Sequence, residues 1–398
     1  MKAVQTLLAA LFFLACSHEM PTKQTNETQL PQWAMFGKNL RHTSNAADAV
    51  EYYPGPQQGT IVWSWRTKEV FWCSPSIGAD GTIYIASSPS LDVTADSGYI
   101  YAFNPDGSIK WRFLTPLGNL STGALGQDGT YFYGSLDQHV HAIDREGNLK
   151  WKQKISGFYN TGVRPAITKT KEIILAVGTG VTALHAETGN ILWFYEKPMD
   201  LGFSVSIDHL GNIYTGTPNS LLALSSEGVK KWEFPVFYGP REIMIGHDGT
   251  LYFHILRDSL FYALNPDGTL KWTFKLRGRA ENNSPAISSD GSIYLVEVSP
   301  FMYKLNLMGS LQWEIELIKL TGHTKYLADS SPIIDKDGTI YLNYGFTVGD
   351  NFYAINQNRQ VKWSLTIENP SVAIFPTSAI GPDGTLYIAG DHTLNAIR

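Results

Sequence analysis

Arg241, Arg277 and Arg279, together with Phe71, Trp72, Phe158, Tyr159, Phe237, Tyr238 and Tyr326, are the side chains of this sequence best suited to contact with a partner. They lie where Gly, Pro and Asn interrupt the apolar pattern, as around Tyr238, Gly239, Pro240 and Arg241, and such segments are loops. A guanidinium donates in a fixed planar fork, and aromatic rings supply broad contact area at low entropic cost. Loops of this composition favour non-covalent recognition of a protein or peptide, with the three arginines as the leading contacts.

Covalent and metal chemistry finds less support. The sequence has no His-x-x-x-His, Cys-x-x-Cys, phosphate-binding loop or Gly-x-Ser-x-Gly pattern, so no catalytic residue is assigned. Asp92 and Asp96 offer carboxylates to a Ca²⁺ ion, but with too few further oxygens and no glycine where such a loop must turn. His139, His141, His247, His323 and His392 are scattered, and only convergence on one axis would make them a metal site. From these residues neither metal nor cofactor is expected.

The elements that hold these loops follow from a repeat. A Gly-x-x-x-Trp spacing occurs at Gly59 and Trp63, Gly107 and Trp111, Gly147 and Trp151, and Gly189 and Trp193. It continues at Gly228 and Trp232, Gly268 and Trp272, and Gly309 and Trp313; the last copy, Arg359 and Trp363, has lost the Gly. Successive tryptophans stand 48, 40, 42, 39, 40, 41 and 50 residues apart. A period of about 40 marks a stacked-repeat architecture.

Upstream of each Trp runs a β-branched and aromatic segment such as Tyr99, Ile100, Tyr101, Ala102 and Phe103, joined to it by a turn such as Asn104, Pro105, Asp106 and Gly107. Pro presets φ and Gly supplies the left-handed residue of a bulged hairpin. A further strand begins at the Asp-Gly pairs ending in Gly81, Gly129, Gly249, Gly291, Gly338 and Gly384, with Glu172 and Gly211 in the two remaining slots. A short strand such as the one from Ser284 to Ile287 opens each unit. Each period is thus four antiparallel strands, one blade, and a lone blade cannot bury both faces. The predicted fold is all-β: an eight-bladed β-propeller of four-stranded antiparallel blades, with Trp63, Trp111, Trp151, Trp193, Trp232, Trp272, Trp313 and Trp363 packing between blades.

The final unit stops at Ile397 before its Trp strand, and the first Trp strand has no unit before it. The two are predicted to share the last blade, closing the ring and removing sheet edges. No helical periodicity competes with this reading past residue 33. In a four-stranded meander the regular Asp-Gly and Pro-Asp-Gly turns share one face. The variable loops share the other and carry the aromatic and arginine residues named above, with the long link at 316–329 adding His323 and Lys325. The same aromatics would equally serve to plug an axial channel or to pack between blades.

The segment Ala183, Leu184, His185, Ala186, Glu187, Thr188, Gly189, Asn190, Ile191, Leu192 and Trp193 resembles the tryptophan-docking motif of PQQ-like repeat proteins, the quinoprotein alcohol dehydrogenase-like propellers. Shorter versions end at Trp111 and Trp151, and the stretch from Trp33 to Thr43 is similar to the lead-in of that family. The resemblance covers residues 33–398. It implies one of two functions. Dehydrogenases of the family hold PQQ and Ca²⁺ near the axis beneath adjacent cysteines, whereas here the two cysteines are residues 16 and 73 and the long insertions are missing. Non-enzymatic relatives include a lipoprotein subunit of the outer-membrane β-barrel assembly machine, to which this chain is similar in anchor, length and blade number.

Localisation rests on the first residues. Lys2 and an apolar stretch from Leu7 to Ala15, too short to span a bilayer, read as an export signal. It ends at Cys16 in a lipobox-like sequence, which implies lipidation of Cys16 and an outer-membrane anchor. Residues 17–32 are polar and read as a flexible tether, and 33–398 as a single propeller. With Cys16 lipidated, Cys73 is a buried free thiol. A net charge of −5 leaves no footprint for nucleic acid. The expected protein is a monomeric, non-enzymatic envelope scaffold that recruits a protein or peptide, the alternative being a PQQ-dependent oxidoreductase; a carbohydrate-binding or lyase propeller is a third option.

Overall fold

The computed structural model describes residues 39, 54–89, 97–117, 122–155, 164–168, 170, 172–198, 204–256, 258–279, 284–297, 301–321, 331–344, 351–367 and 376–398. Among them, thirty-two strands form eight separate four-stranded sheets, every pairing antiparallel. The chain enters with β1 (Ile61–Arg66) and then builds its first complete blade from β2 (Ser76–Ile77), β3 (Ile83–Ser87), β4 (Tyr99–Phe103) and β5 (Ile109–Leu114). Six further meanders follow. The last blade has β30 (Ala379–Ile380), β31 (Leu386–Ala389) and β32 (Thr393–Ile397), and its fourth strand is β1, with Ile61 opposite Ile397 and Trp65 opposite Leu394. Innermost strands of neighbouring blades lie side by side, β2 touching both β30 and β6 (Ala124–Leu125), so the sheets surround an axis. The ring closes as predicted.

Packing explains the repeat. The residue opposite the Trp on the third strand is Ala in seven blades, for example Ala102 opposite Trp111 and Ala396 opposite Trp63. A methyl group there lets the indole fold across onto an aromatic ring of the second strand. Tyr84 and Trp111 are 5.7 Å apart, Tyr252 and Trp272 5.7 Å, and Tyr387 and Trp63 5.9 Å between ring centres. In the remaining blade Lys304 stands opposite Trp313 and lays its ammonium 5.4 Å from the centre of the Tyr294 ring.

The other side of each indole meets the next blade. Trp63 Nε1 donates to the Pro105 carbonyl at 2.9 Å, Trp111 Nε1 to Arg145 at 2.8 Å, and Trp272 Nε1 to Leu307 at 3.0 Å. The repeat glycine covers the ring: a Cβ on Gly107 would stand 2.7 Å from Trp63 Cδ2, and Gly107 has φ of +87°. Arg359, where the Gly is lost, keeps the left-handed backbone at φ 66°. Trp363 has no following third-to-fourth turn, and residues 54–59 supply the substitute. Pro56 accepts from Trp363 Nε1 at 3.1 Å, and Gly59 covers its ring.

The Asp-Gly turns use their own carboxylates. Asp80 accepts from the Thr82 amide at 3.0 Å and from Lys110 at 3.1 Å, and Asp128 with Lys150 and Asp248 with Lys271 repeat the arrangement. Although burial opposes it, bonds from Thr82 and Lys110 hold the Asp80 carboxyl below its ordinary value. A single-turn helix, α1 (Leu317–Thr321), follows the outer strand Leu311–Glu316, because Leu317 buries itself against the core of the next blade. Five residues are too few for helical periodicity to show.

Candidate functional site

The two faces of the ring differ as predicted. A Cβ on Gly81 would meet Pro105 at 3.0 Å, which places the first and third turns of a blade together. On the other face Thr115 donates to the Gly98 carbonyl at 2.9 Å, joining the link between blades to the middle loop.

At the start of each innermost strand on this variable face, one residue occupies an equivalent slot: Ser74, Thr122, Arg164, Ser204, Glu242, Ser284, Ser331 and Thr377. Six are small hydroxyl residues, and several tie one blade to the next. Ser74 donates its amide to Thr122 Oγ1 at 3.0 Å, Thr377 to Ser74 Oγ at 2.8 Å, and Ser284 to Ser331 Oγ at 2.7 Å. The two exceptions pair with one another: the Arg164 guanidinium bonds Glu242 Oε1, passing the intervening Ser204. Glu242 is 5% exposed, and burial pushes its carboxyl above the ordinary value although Arg164 and Arg241 oppose the rise. Arg241 precedes it and accepts both the amide and the hydroxyl of Ser204 at its carbonyl, each at 2.9 Å. The result is a half-buried cluster of two guanidinium groups and one carboxylate at the axial rim.

The structure sorts the residues singled out from sequence. Arg241 belongs to the rim cluster. Phe237, 97% exposed, and the half-buried Tyr238 stand on the link just before it. Trp72 is half-buried two residues ahead of Ser74. Phe71 is a correction. It is 2% exposed, donates its amide to Asp391 at 2.8 Å and lies against Trp65 and Tyr101, so it is core and presents no ring to a partner. Arg277 is exposed, but its guanidinium grips both oxygens of Glu314 and lies 5.0 Å from the centre of Phe301, which makes it a brace between two blades. Arg279 is exposed on the same link. Phe158, Tyr159, Tyr326, His323, Lys325, Asp92, Asp96 and Cys16 lie outside the described residues.

Sequence reasoning missed Arg164 and Glu242. Lining up the eight repeats at this slot, two residues before Ser76, Ser206, Met244 and their equivalents, would have shown two charges among hydroxyls.

The quinone cofactor that the resemblance implies would bring a Ca²⁺ ion with it. Such a cation needs several converging oxygens. Among the described residues no group of three or more His, Cys, Asp or Glu side chains is placed to hold a metal. Glu242, the one carboxylate in the rim slots, is already engaged by Arg164. Of the histidines, His141 Nε2 lies 3.0 Å from Asp137, and His392 Nδ1 lies 2.8 Å from the Glu69 carbonyl. Both are structural contacts.

The family described as outer membrane protein assembly factor BamB matches residues 96–251. Among solved structures, BamB from Moraxella catarrhalis is similar at a TM-score of 0.63 and 13% identity, over 85% of this chain and 99% of that one. A europium-containing methanol dehydrogenase is similar at 0.66 and 16%, over 91% and 89% of the two chains. The quinohemoprotein alcohol dehydrogenase ADHIIG from Pseudomonas putida HK5 is similar at 0.69 and 12%, over 93% and 80%. No curated protein matches the chain. At these identities the likeness is one of fold, and the chain is an eight-bladed propeller similar to PQQ-like repeat proteins.

Proposed function

We propose that this chain is a non-enzymatic scaffold of the cell envelope that recruits a protein or peptide on the variable face of its ring. The observation that carries the reading is Phe237, an aromatic side chain standing almost wholly in solvent on the variable-face link that leads, four residues on, to Arg241. The opposite face consists of short turns whose carboxylates are spent on their own amides and on lysines. The likeness to BamB supports the same reading. The likeness to two dehydrogenases supports an oxidoreductase instead, yet the described residues assemble no site for its cation.

A photo-crosslinking residue at position 237, in cells that make the full chain, tests the proposal against the same residue at position 106 on the opposite face. Adducts from position 237 alone are expected; adducts from position 106 alone, or from neither, refute it. Saturable PQQ binding with reduction of a dye acceptor in the presence of Ca²⁺ would establish the oxidoreductase. Within this proposal Cys16 carries the lipid anchor, so Cys16→Ala moves the protein from the membrane to the soluble fraction, and unchanged fractionation refutes the anchor.

A further inference from the structure

The ion pair at the rim leaves polar atoms stranded. Glu242 Oε2 and Arg241 Nε are both buried and make no hydrogen bond. Ser284 Oγ, in the equivalent slot of the adjoining blade, is buried and unsatisfied too. Three of the nine such atoms among the described residues therefore fall at the start of the innermost strands of two adjoining blades. Where Ser or Thr fills the slot the deficit is absent at Ser74, Thr122 and Ser331, each of which accepts an amide from the adjoining blade. A buried polar atom without a partner loses its hydration and receives nothing in return, so a concentration of them marks a place where something else binds.

Charge and donor count identify what that is. Arg164, Arg241 and Glu242 sum to one positive charge, which suits a monoanion better than a dianion. Beside the Arg164–Glu242 pair the stranded donor is Arg241 Nε, with the Ser284 hydroxyl in the equivalent slot of the adjoining blade, against one stranded acceptor, Glu242 Oε2. Planar guanidinium donors match the two oxygens of a carboxylate. The same link carries the exposed Phe237 and the half-buried Tyr238 ahead of Arg241, a surface for a ligand with a carbon body.

We propose that the axial rim binds a carboxylate group, that of a peptide C-terminus or of a small free acid, with Arg241 as its principal donor. Glu242 Oε2 takes an N–H or O–H that the ligand carries close to the carboxylate. The inference rests on reading this face as the recognition surface and gives that surface a chemistry.

Titration calorimetry on the full chain tests it with three probes: acetate, a three-residue peptide with a free C-terminus, and the same peptide amidated. At least one free carboxylate is expected to saturate the chain below about 10 mM, with the amide at least tenfold weaker. Arg241→Gln is expected to lose at least tenfold for the carboxylate. Arg145→Gln, in an exposed turn on the opposite face of the ring, is expected to lose nothing. Should Arg241→Gln fail to melt cooperatively, Arg241→Lys takes its place, keeping the charge without the fork and losing part of the affinity. Binding of acetate without the peptide assigns the rim to free acids, and binding of the peptide without acetate assigns it to a chain terminus. Equal affinity for acid and amide, no saturation by either carboxylate, or unchanged affinity in the Arg241 variant overturns the proposal. Crosslinking from position 237 that survives in that variant shows that the recognition surface stands even where the carboxylate site fails.

Discussion

The indole nitrogen of Trp363 donates to the carbonyl of Pro56 at 3.1 Å, across 307 residues of chain. It is the same bond that Trp63 makes to Pro105 one blade further round, and Gly59 covers Trp363 as Gly107 covers Trp63. The repeat glycine therefore answers to two demands at once, a left-handed backbone and an absent side chain over a neighbour's ring.

Gly107→Ala is expected to destabilise the protein by about 1–2 kcal/mol through its backbone, with displacement of the Trp63 ring adding to this. Arg359→Gly runs the other way: it relieves the left-handed strain at φ 66° and is expected to raise stability by up to about 1 kcal/mol. Denaturant melts of both variants check the pair, and a neutral Gly107→Ala would contradict the covering role.

Arg164→Ala leaves the Glu242 carboxyl buried with its partner removed. A cost of about 3 kcal/mol is expected, at the low end for such pairs because Arg164 is 31% exposed. Replacing both residues, Arg164→Met with Glu242→Met, is expected to recover most of it. A double-mutant cycle in urea measures the coupling.

Glu233 joins two blades at their outer strands, taking Lys197 at 2.7 Å, Lys230 at 2.6 Å and Ser220 at 2.5 Å. Burial works against ionisation, but these bonds prevail and hold its carboxyl at about 2, below its ordinary value of 4.5. Because the folded value lies below the unfolded one, this stabilisation is full above pH 4.5 and declines as the pH falls toward 2. Melting temperature followed from pH 6 to pH 2 is expected to fall more steeply in the parent than in Glu233→Gln.

Cys73 is buried and shares its sulfur with the backbone of Ala86 at 3.2 Å, and burial pushes its thiol up to about 12. The native protein is expected to leave Cys73 unmodified by iodoacetamide at pH 8, and the denatured chain to react. Mass spectrometry of the tryptic peptide reads the difference.

What the sequence discloses and what it hides divide along one line. Blade number, strand order and closure were legible because each depends on contacts within a unit, and Trp, Ala and Asp-Gly recur in fixed places within it. Contacts between units are another matter. That Gly107 serves Trp63, or that Arg164 reaches Glu242 past Ser204, depends on how neighbouring blades abut. Phe71 misleads for the same reason. It looks like a loop residue beside Trp72, but the bridge of Val70 with Ser88 and the bond to Asp391 draw it inward.

The pairing of Ile61 with Ile397 also carries a consequence for biosynthesis. A ribosome delivers about 5–20 residues each second, so the strand around Trp63 waits on the order of tens of seconds before its mate exists. Throughout that interval an apolar β-segment has no edge to join, and it is then that a holdase would matter most to the yield of mature protein.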